Sequence, residues 1–278
     1  MPLTHAQSNA MIAAIREVAA AVILPRFRNL PPGAIDAKSS FDDLVTVADK
    51  EAEAALTERF HAILPGDAVV GEESVAADAS ILSRIGEGRC TIIDPIDGTW
   101  NFAHGIANYG VIVAVVEDGR TVWGCLYDPG FDDWVLAVAD GGTTFHRNGT
   151  ARTLSMSRDA TPRDRLRGNI GEYMYPQVLR AGLAALTPTI RRSGSLGASL
   201  HEYRLMCLGG SDFVLNAFLH PWDHAAGVLA IREAGGVARL LDGTEYAPTM
   251  TEGRLLTART PAIWDELAPD FAAALNQP

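Results

Sequence analysis

Two stretches near the N-terminus carry apolar residues at helical spacing. Over residues 4–27 the apolar positions fall on one side of a predicted helix, and Pro25 is expected to end it. These positions are Met11, Ile12, Ile15, Val18, Ala19 and Val22. A second helix is predicted over residues 45–64, where apolar residues recur at Val45, Ala48, Ala52, Leu56, Phe60 and Leu64. Residues 38–43 form a polar connector between the two helices.

Short apolar runs with turn residues between them come next, and they predict a largely antiparallel sheet that carries helices. The predicted strands cover residues 68–71, 90–93, 109–116, 122–127 and 134–137. Turn signals divide these runs at Glu117-Asp118-Gly119 and at Asp128-Pro129-Gly130. Gly141-Gly142 and Asn148-Gly149 predict further hairpin turns.

From about residue 160 predicted helices and strands alternate. The predicted helices cover residues 176–186, 199–208, 224–234 and 262–275, and the predicted strands cover residues 213–218 and 236–241. We therefore expect an α/β protein with two layered halves, residues 1–155 and residues 156–278, that share one crevice.

The overall composition narrows the class of protein. The chain has 278 residues, of which 47% are hydrophobic, and this is enough for a large core. Its formal net charge of −11 argues against a general binder of nucleic acid or of anionic membranes, because both need a positive field. The three cysteines form no metal-binding or disulfide pattern, and no signal peptide or uninterrupted apolar run of membrane-spanning length is evident. These features predict a cytoplasmic location with reduced thiols.

The strongest chemical signal is the run Asp94-Pro95-Ile96-Asp97-Gly98-Thr99, which follows the predicted strand 90–93. Two carboxylates at a strand end, joined by a rigid proline, are unfavourable in a hydrophobic core and well suited to bind a cation. Gly98 permits a turn, and Thr99 can start a helix. Hard oxygen ligands beside the N–H groups of a helix start suit Mg²⁺ and phosphate together.

Two further acidic groups stand where predicted elements begin or end, and each has a structural alternative. Glu72-Glu73 belongs either to a cation site or to a solvated turn. Asp223 precedes a helical run, so taken alone it is better explained as the N-cap of that helix. If Glu72, Asp94, Asp97 and Asp223 met in the folded chain without a cation, they would repel strongly. Their convergence would therefore indicate a metal site.

Three motifs resemble the signature set of the inositol monophosphatase family. They are Gly71-Glu72-Glu73-Ser74, the run from Ile93 to Phe102, and Trp222-Asp223-His224-Ala225-Ala226-Gly227. Supporting matches are Asp43-Leu44-Val45-Thr46 with Asp49, Phe145 with Asn148-Gly149, and Glu233-Ala234-Gly235-Gly236. The order and spacing fit along nearly the whole chain. The resemblance implies a layered αβαβα sugar-phosphatase fold with its site in the crevice, and a metal-dependent phosphomonoesterase.

The resemblance also implies roles for individual residues. Glu72, Asp94 and the backbone carbonyl of Ile96 would hold a first Mg²⁺, while Asp94, Asp97 and Asp223 would hold a second. Glu72 would also face a third, looser ion. Thr99 with Asp49 would orient and deprotonate the attacking water, and Glu72 is counted with them as catalytic. Lys38 would be either a neighbour of the third metal or the phosphate, or simply an exposed solubilising side chain.

For the substrate, the resemblance implies contacts from both ends of the site. Asp97, Asp223 and the N–H groups of Gly98 and Thr99 would meet the phosphate end, and Gly197, Ala198 and Ser199 would meet the sugar ring. Asn216 stands where members that prefer inositol carry a ring-contacting Glu. An amide donates and accepts hydrogen bonds but brings no charge, so inositol phosphate itself is in question.

Several functions stay open at this point. A small polyol or sugar phosphate such as inositol 1-phosphate is the first expectation, histidinol phosphate the second, and a nucleotide the third. A different class is a non-catalytic relative that binds protein or RNA, which the filled acidic positions and the net charge of −11 disfavour. The resemblance further implies inhibition by Li⁺, which is small and hard enough to replace one Mg²⁺, and a homodimer.

Overall fold

The computed structural model describes residues 3–38 and 44–276. Its α-helices are α1 His5–Val18, α2 Val47–Ile63, α3 Glu72–Ala77, α4 Thr99–Ala103, α5 Gln177–Leu186, α6 Ser199–Cys207, α7 Pro221–Glu233 and α8 Pro261–Leu275. A π-helical turn, Ala19–Ile23, and a 3₁₀ turn, Leu24–Arg26, extend α1 to the point where the sequence predicts its end. Residues 39–43 of the predicted polar connector, including Asp43 of the supporting motif, lie outside the described residues.

The strands form three sheets. They are β1 Ile35–Ala37, β2 Leu44–Thr46, β3 Ala68–Gly71, β4 Arg89–Asp97, β5 Gly110–Glu117, β6 Arg120–Asp128, β7 Asp133–Val138, β8 Gly142–Arg147, β9 Thr150–Leu154, β10 Arg167–Ile170, β11 Arg192–Gly194, β12 Phe213–Asn216, β13 Val237–Leu240 and β14 Leu255–Ala258. The large sheet has the order β3-β4-β5-β6-β7-β8-β9, the small sheet has the order β11-β10-β12-β14-β13, and β1 pairs with β2. In the large sheet only β3 and β4 pair in parallel, so the predicted antiparallel character is confirmed.

Side chains alternate between the two faces of each strand, and this places helices on both faces of the large sheet and of the small sheet. On β5, Ile112 and Ala114 face a core shared with α6 and α7, whereas Val111 and Val113 face a core shared with α1 and α2. In the small sheet, neighbouring positions on β12 likewise divide between the α6 and α7 side and the α5 and α8 side. The order of layers is therefore helix, large sheet, helix, small sheet, helix, which confirms the αβαβα expectation.

The helical run His5–Arg26 has a mean hydropathy of 1.4 and is, by length and composition, long and apolar enough to cross a membrane, the one such run in the described chain. Its apolar side is engaged within the protein. Met11, Ile15 and Val18 are buried in the core that α1 shares with α2 and the large sheet. This packing accounts for the apolar composition of the run.

Three strands of the small sheet were missing from the sequence prediction. β10 contains Arg167 and Asn169 and has no apolar alternation, β11 has only three residues, and β14 is a four-residue run too short to separate from its surroundings. Their neighbours in the sheet, rather than their own sequences, hold them as strands. The large sheet ends at Leu154 and the small sheet begins at Arg167, and the division into halves near residue 155 stays a prediction.

Candidate active site

The end of β4 supplies two of the predicted carboxylates. Asp94 pairs with Ile112 of β5 and Asp97 pairs with Gly110, so β4 carries one residue more than its partner between these positions. Such a β-bulge suits Pro95, which has no N–H to donate to the ladder. In a regular strand, residues three apart point to opposite faces. The extra residue at the bulge allows Asp94 and Asp97 to point to the same side.

Gly98 links the strand to helix α4 in the predicted way. Its φ of 83° lies in the left-handed region, and a Cβ there would come within 2.9 Å of both the Cβ of Ala198 and the carbonyl oxygen of Asn108. Thr99 then begins α4, and its hydroxyl lies 3.0 Å from Oδ1 of Asp49 and 2.9 Å from the carbonyl oxygen of Ile96.

Asp49 is fixed from the other side by the start of helix α2. The backbone N–H and the hydroxyl of Thr46 donate to its Oδ2 at 2.8 and 2.5 Å, which completes a capping box. The Asp49 side chain has no exposed surface. Burial raises its pKa to about 6, although the hydrogen bonds from Thr46 act in the opposite direction.

Glu72 follows β3, which lies parallel to β4 with Gly71 opposite Ile93, so Glu72 comes to the same sheet edge as Asp94. Lys38 donates to Oε1 of Glu72 at 2.8 Å and to Oε1 of Glu73 at 2.6 Å. Burial raises the pKa of Glu72 to about 7, with Lys38 opposing the shift. The pair Glu72-Glu73 is therefore the first turn of a helix, held by a lysine.

Asp223 lies in the first turn of α7 and not at its N-cap, which removes the structural alternative that the sequence offered for this residue. The helix begins two residues earlier, at Pro221, with His220 at the cap position, because proline at the first helical position has no N–H to leave unpaired. The Asp223 side chain is one-fifth exposed, and its Oδ2 lies 3.3 Å from Nδ1 of His220. Burial alone would raise its pKa, but the contact with His220 contributes to a net lowering.

Three carboxylates converge between β4 and α7. One oxygen each from Asp94, Asp97 and Asp223 lies within 4.8 Å of the other two, and Glu72 is not in this group. Burial, together with the neighbouring negative charges, raises the pKa of Asp94 and of Asp97 well above the ordinary range. The oxygen Oδ1 of Asp94 is buried and has no hydrogen-bond partner in the described chain. A hard divalent cation fits this donor set, because it would occupy the unpaired oxygen and offset the repulsion.

A cavity of about 160 Å³ opens next to these carboxylates. Six of the predicted substrate residues line it, and Gly98 and Thr99 do not. The six are Asp97, Gly197, Ala198, Ser199, Asn216 and Asp223. The loop at Gly197 is held by the Asn101 amide, which donates to the carbonyls of Asn108, Leu196 and Gly197. Asp97 accepts the N–H groups of Ser199 and Leu200 at 3.0 and 2.7 Å, so one carboxylate joins the loop to the carboxylate cluster.

The orientation of Asn216 follows from a chain of hydrogen bonds beneath it. Nε2 of His224 lies 2.7 Å from the carbonyl oxygen of Phe218, which can only accept, so Nε2 carries the proton. Burial lowers the pKa of His224, which favours the neutral ring, so Nδ1 accepts from the Tyr203 hydroxyl at 3.0 Å. The Asn216 Nδ2 then donates to that hydroxyl at 3.4 Å, which leaves the Asn216 Oδ1 as an acceptor for another group.

Sequence reasoning missed several residues that hold this site in place. The buried Glu53 accepts the N–H groups of Glu73 and Ser74 at 2.7 and 2.8 Å and so caps the helix that starts at Glu72. Its signal was a charged residue beside Ala52 on the apolar side of α2. Tyr203, Glu202 and His220 also support the site, but their place became visible only after α6 and α7 were positioned.

Comparisons with known proteins agree with these motifs. A sequence profile of the inositol monophosphatase family matches residues 6–277. The chain is 32% identical over 249 residues to the inositol-1-monophosphatase of Synechocystis, covering 86% of this chain and 80% of that protein. It is 28% identical over 211 residues to the fructose-1,6-bisphosphatase/inositol-1-monophosphatase of Thermotoga maritima, covering 76% and 77%. An inositol monophosphatase structure from Zymomonas mobilis superposes with a TM-score of 0.78 at 26% identity, covering 97% of this chain and 100% of that one.

Proposed function

This chain belongs to the inositol monophosphatase family and is a phosphatase of that family, and on that premise we propose that it is a Mg²⁺-dependent phosphomonoesterase of a small polyol or sugar phosphate such as inositol 1-phosphate. Two observations carry the proposal: Asp94, Asp97 and Asp223 converge, and the buried Oδ1 of Asp94 has no hydrogen-bond partner in the described chain. The cavity beside them has room for the alcohol part of such an ester.

We propose, on the family resemblance, that the site holds two to three Mg²⁺ ions. Glu72, Asp94 and the carbonyl of Ile96 would hold one ion, and Asp94, Asp97 and Asp223 would hold a second, with a third near Glu72 and Lys38. Mg²⁺ prefers such carboxylate and carbonyl oxygens and keeps several waters. When bound, it supplies charge compensation for the phosphate, a lower pKa of the attacking water and stabilisation of the leaving alkoxide.

The protein's own contribution to the attack comes from Thr99 and Asp49. The Thr99 hydroxyl has one proton to donate, and when it donates to Asp49, its lone pairs are free to accept a proton from water. Asp49, held by Thr46, receives the proton that Thr99 passes on. The water oxygen forms a bond to phosphorus while the bond from phosphorus to the alcohol oxygen breaks. The leaving alkoxide takes up a proton from solvent water and Asp49 releases its proton to solvent, so inorganic phosphate and the free alcohol result.

We assign substrate binding to two ends of the site, of which the alcohol end lies in the cavity. The N–H groups of Gly98 and Thr99 would hold phosphate oxygens beside Asp97 and Asp223. At the other end, Gly197, Ala198 and Ser199 offer backbone groups and small side chains, and Asn216 offers an acceptor for a hydroxyl or an N–H group.

Histidinol phosphate is the second candidate substrate, and one specific observation favours it. The buried Glu202 lines the cavity and would suit a cationic alcohol. A non-catalytic protein- or RNA-binding role receives no such support, because each acidic position of the motifs is filled and the net charge is −11. We further propose, on the family resemblance, a cytoplasmic homodimer that Li⁺ inhibits.

Phosphate release from a panel of inositol, sugar and amino-alcohol phosphates tests the function. We expect turnover with Mg²⁺, none with EDTA, and a loss of at least about a hundredfold for Asp94→Asn. Activity unchanged by EDTA and by Asp94→Asn would remove the metal mechanism. Absence of inhibition by Li⁺ at millimolar levels would contradict the proposed Li⁺ sensitivity. A higher kcat/KM for histidinol phosphate than for inositol 1-phosphate would make histidinol phosphate the first candidate substrate.

A further inference from the structure

A second cavity is lined by the end of β9, the segment that leads into β10 and the C-terminal end of α6. Its volume is about 590 Å³, compared with about 160 Å³ beside the carboxylates, and none of the described residues lines both cavities. Ser199, the first residue of α6, lines the cavity beside the carboxylates, and Cys207, the last residue of α6, lines the second one. The length of this helix, about 12 Å, therefore separates the second cavity from the proposed active site.

The charge of the second cavity is opposite in sign to that of the whole chain. Its lining contains four arginines and two aspartates, which give a formal charge of +2, whereas the chain has a formal net charge of −11. These residues are Arg152, Arg165, Arg167, Arg259, Asp159 and Asp212. A concentration of positive charge on an acidic protein attracts anions to that place.

Arg259 and Asp212 form the buried frame of this cavity. Asp212 is 1% exposed, and it accepts Nε–H of Arg259 at 3.0 Å and the backbone N–H of Arg167 at 2.9 Å. The Arg259 guanidinium also donates to the carbonyl of Ser157 and to the hydroxyl of Thr161, both at 2.6 Å. The charge of Asp212 is therefore compensated within the wall, and the segment between β9 and β10 is held in place.

The other three arginines keep hydrogen-bond donors free. Arg152 and Arg165 are exposed, and neither pairs with a carboxylate in the described chain. The Arg152 guanidinium lies 5.2 Å from the centre of the Phe145 ring, which supports it. Arg167 uses two of its five side-chain donors, one on Asp212 at 3.5 Å and one on a loop carbonyl at 3.2 Å. Guanidinium groups with free donors suit the oxygens of phosphate and carboxylate groups.

The lining also includes an apolar floor. Leu154, Met156 and Met206 are buried and line the cavity, and Leu208 lines it with 40% of its surface exposed. Burial of such apolar surface by the carbon part of a ligand is favourable. A volume of about 590 Å³ lies within the range of small-molecule sites, so a lone inorganic ion would leave most of the cavity unfilled.

We propose that this cavity is a second binding site, for a small organic phosphate: Arg152, Arg165 and Arg167 bind the phosphoryl group, and the carbon part lies on the apolar floor. A phosphate monoester has close to two negative charges and three terminal oxygens at neutral pH, which three guanidinium groups can share. A carboxylate offers one charge and two oxygens, so it uses fewer of the free donors. The inference goes beyond the proposed function and does not depend on it, because no catalytic group lines this cavity.

Isothermal titration calorimetry with benzylphosphonate tests the site. This probe has a phosphoryl group and an apolar ring, and its bond from phosphorus to carbon resists hydrolysis. The titration is made at low ionic strength in EDTA, so that no Mg²⁺ draws the anion to the carboxylate cluster. We expect one molecule to bind per chain.

Two arginine variants and a matched control locate the bound probe. Arg152→Gln and Arg165→Gln each weaken binding about threefold to tenfold, because each removes a charged donor from the lining. Arg158→Gln removes the same charge from the segment between β9 and β10, but Arg158 is outside the lining, so binding stays within about twofold of wild type. All three residues are exposed, and thermal unfolding of each variant checks that the fold is kept.

The apolar floor is tested by comparison of two anions. Wild type binds benzylphosphonate at least about fivefold more tightly than inorganic phosphate. Leu208→Ser weakens the binding of benzylphosphonate about threefold and leaves that of inorganic phosphate within about twofold.

Three results would overturn this inference: no saturable binding of benzylphosphonate, the same affinity in Arg165→Gln and Arg158→Gln as in wild type, or equal affinity of wild type for the two anions. Phosphate release from inositol 1-phosphate with Mg²⁺ reports on the proposed function separately. We expect the arginine variants to keep the wild-type kcat/KM. A wild-type protein that hydrolyses no ester but binds the probe through Arg152 and Arg165 would contradict the proposed function and support the second site.

Discussion

The hydroxyl of Thr99 lies 3.0 Å from Oδ1 of Asp49, and these residues belong to different elements fifty positions apart in the chain. One is the first residue of the five-residue helix α4, and the other lies in the first turn of α2. Asp49 is fully buried and its second oxygen is occupied by Thr46. The carboxylate therefore has one oxygen left for Thr99, and this gives a weakly basic hydroxyl a partner that can take its proton.

Replacement of Thr99 tests this pair. Thr99→Val keeps the shape of the side chain and removes the hydroxyl, so kcat is expected to fall about a hundredfold to ten-thousandfold, with KM changed much less. Thr99→Ser, which keeps the hydroxyl, should retain most of the activity. Steady-state phosphate release measures both variants, and a Thr99→Val enzyme with a wild-type kcat would exclude Thr99 from proton transfer.

The carboxyl groups at the site lead to a prediction about how the stability of the metal-free protein depends on pH. Burial raises the pKa of Glu72 to about 7 and that of Asp94 and Asp97 well above the ordinary range, while the pKa of Asp223 is lowered and offsets part of the effect. A carboxyl with a raised pKa keeps its proton when folded at a pH where the unfolded chain has lost it. The folded state then binds more protons, so stability falls as the pH rises from about 4 to about 7.

Thermal unfolding of wild type and Asp94→Asn in EDTA measures this contribution. The variant should be the more stable protein at pH 7, by about 1–3 kcal/mol, and the difference should shrink toward pH 4. Saturating Mg²⁺ should stabilise wild type and have little effect on the variant. A difference that does not change with pH would contradict the account of Asp94 as an uncompensated buried carboxyl.

Much of this arrangement was accessible from the sequence because it is local. The run from Asp94 to Thr99, with its proline and the turn at Gly98, is a segment of consecutive residues that by itself indicated Asp94 and Asp97 as cation ligands. The roles of Glu72, Asp223 and Asp49 came from the family resemblance. Patterns of this kind depend on backbone sterics and on hydrogen bonding within one or two turns. They can therefore be recognised without knowledge of the rest of the fold.

The remainder depends on contacts between distant elements. Glu53 on α2 caps α3, and Tyr203 on α6 bonds His224 on α7. The position of Glu53 on the apolar side of α2 marks it as unusual, but the local sequence does not identify the partner of either residue. The short strand β10, with its arginine and asparagine, is a strand because β11 and β12 pair with it on both sides. Tertiary pairing of this kind overrides local propensity.

Gly98 offers a test of how tightly the turn is specified. Gly98→Ala must place a Cβ 2.9 Å from the carbonyl oxygen of Asn108 and from Ala198, and a backbone oxygen cannot move aside as the end of a flexible side chain can. Gly33→Ala is the matched control, because Gly33 has a similar φ of 78° and no atom within 4 Å of the added Cβ.

The control variant should lose about 1–2 kcal/mol of stability through the left-handed backbone alone and keep its activity. Gly98→Ala should lose more stability and most of its activity, because Thr99 and the loop at Ala198 shift together. Urea unfolding and phosphate release measure the two effects. Equal losses of stability in the two variants would mean that the close approach at Gly98 carries no cost.

The hydroxyl of Tyr203 is expected to govern the alcohol end of the site without touching the phosphate. Tyr203→Phe keeps the ring, which covers Gly227 so closely that a Cβ there would lie 2.2 Å from it, and removes the link between Asn216 and His224. With the amide free to rotate, KM for inositol 1-phosphate should rise about threefold to tenfold while kcat changes little, and stability should fall by about 1 kcal/mol.

Tyr246→Phe is the control, because the Tyr246 hydroxyl is buried with no hydrogen-bond partner in the part of the chain that the structure describes. That variant should keep the wild-type KM. If Tyr203→Phe lowers kcat and leaves KM unchanged, the hydroxyl acts on the chemical step and the chain of hydrogen bonds does not position Asn216 for the substrate.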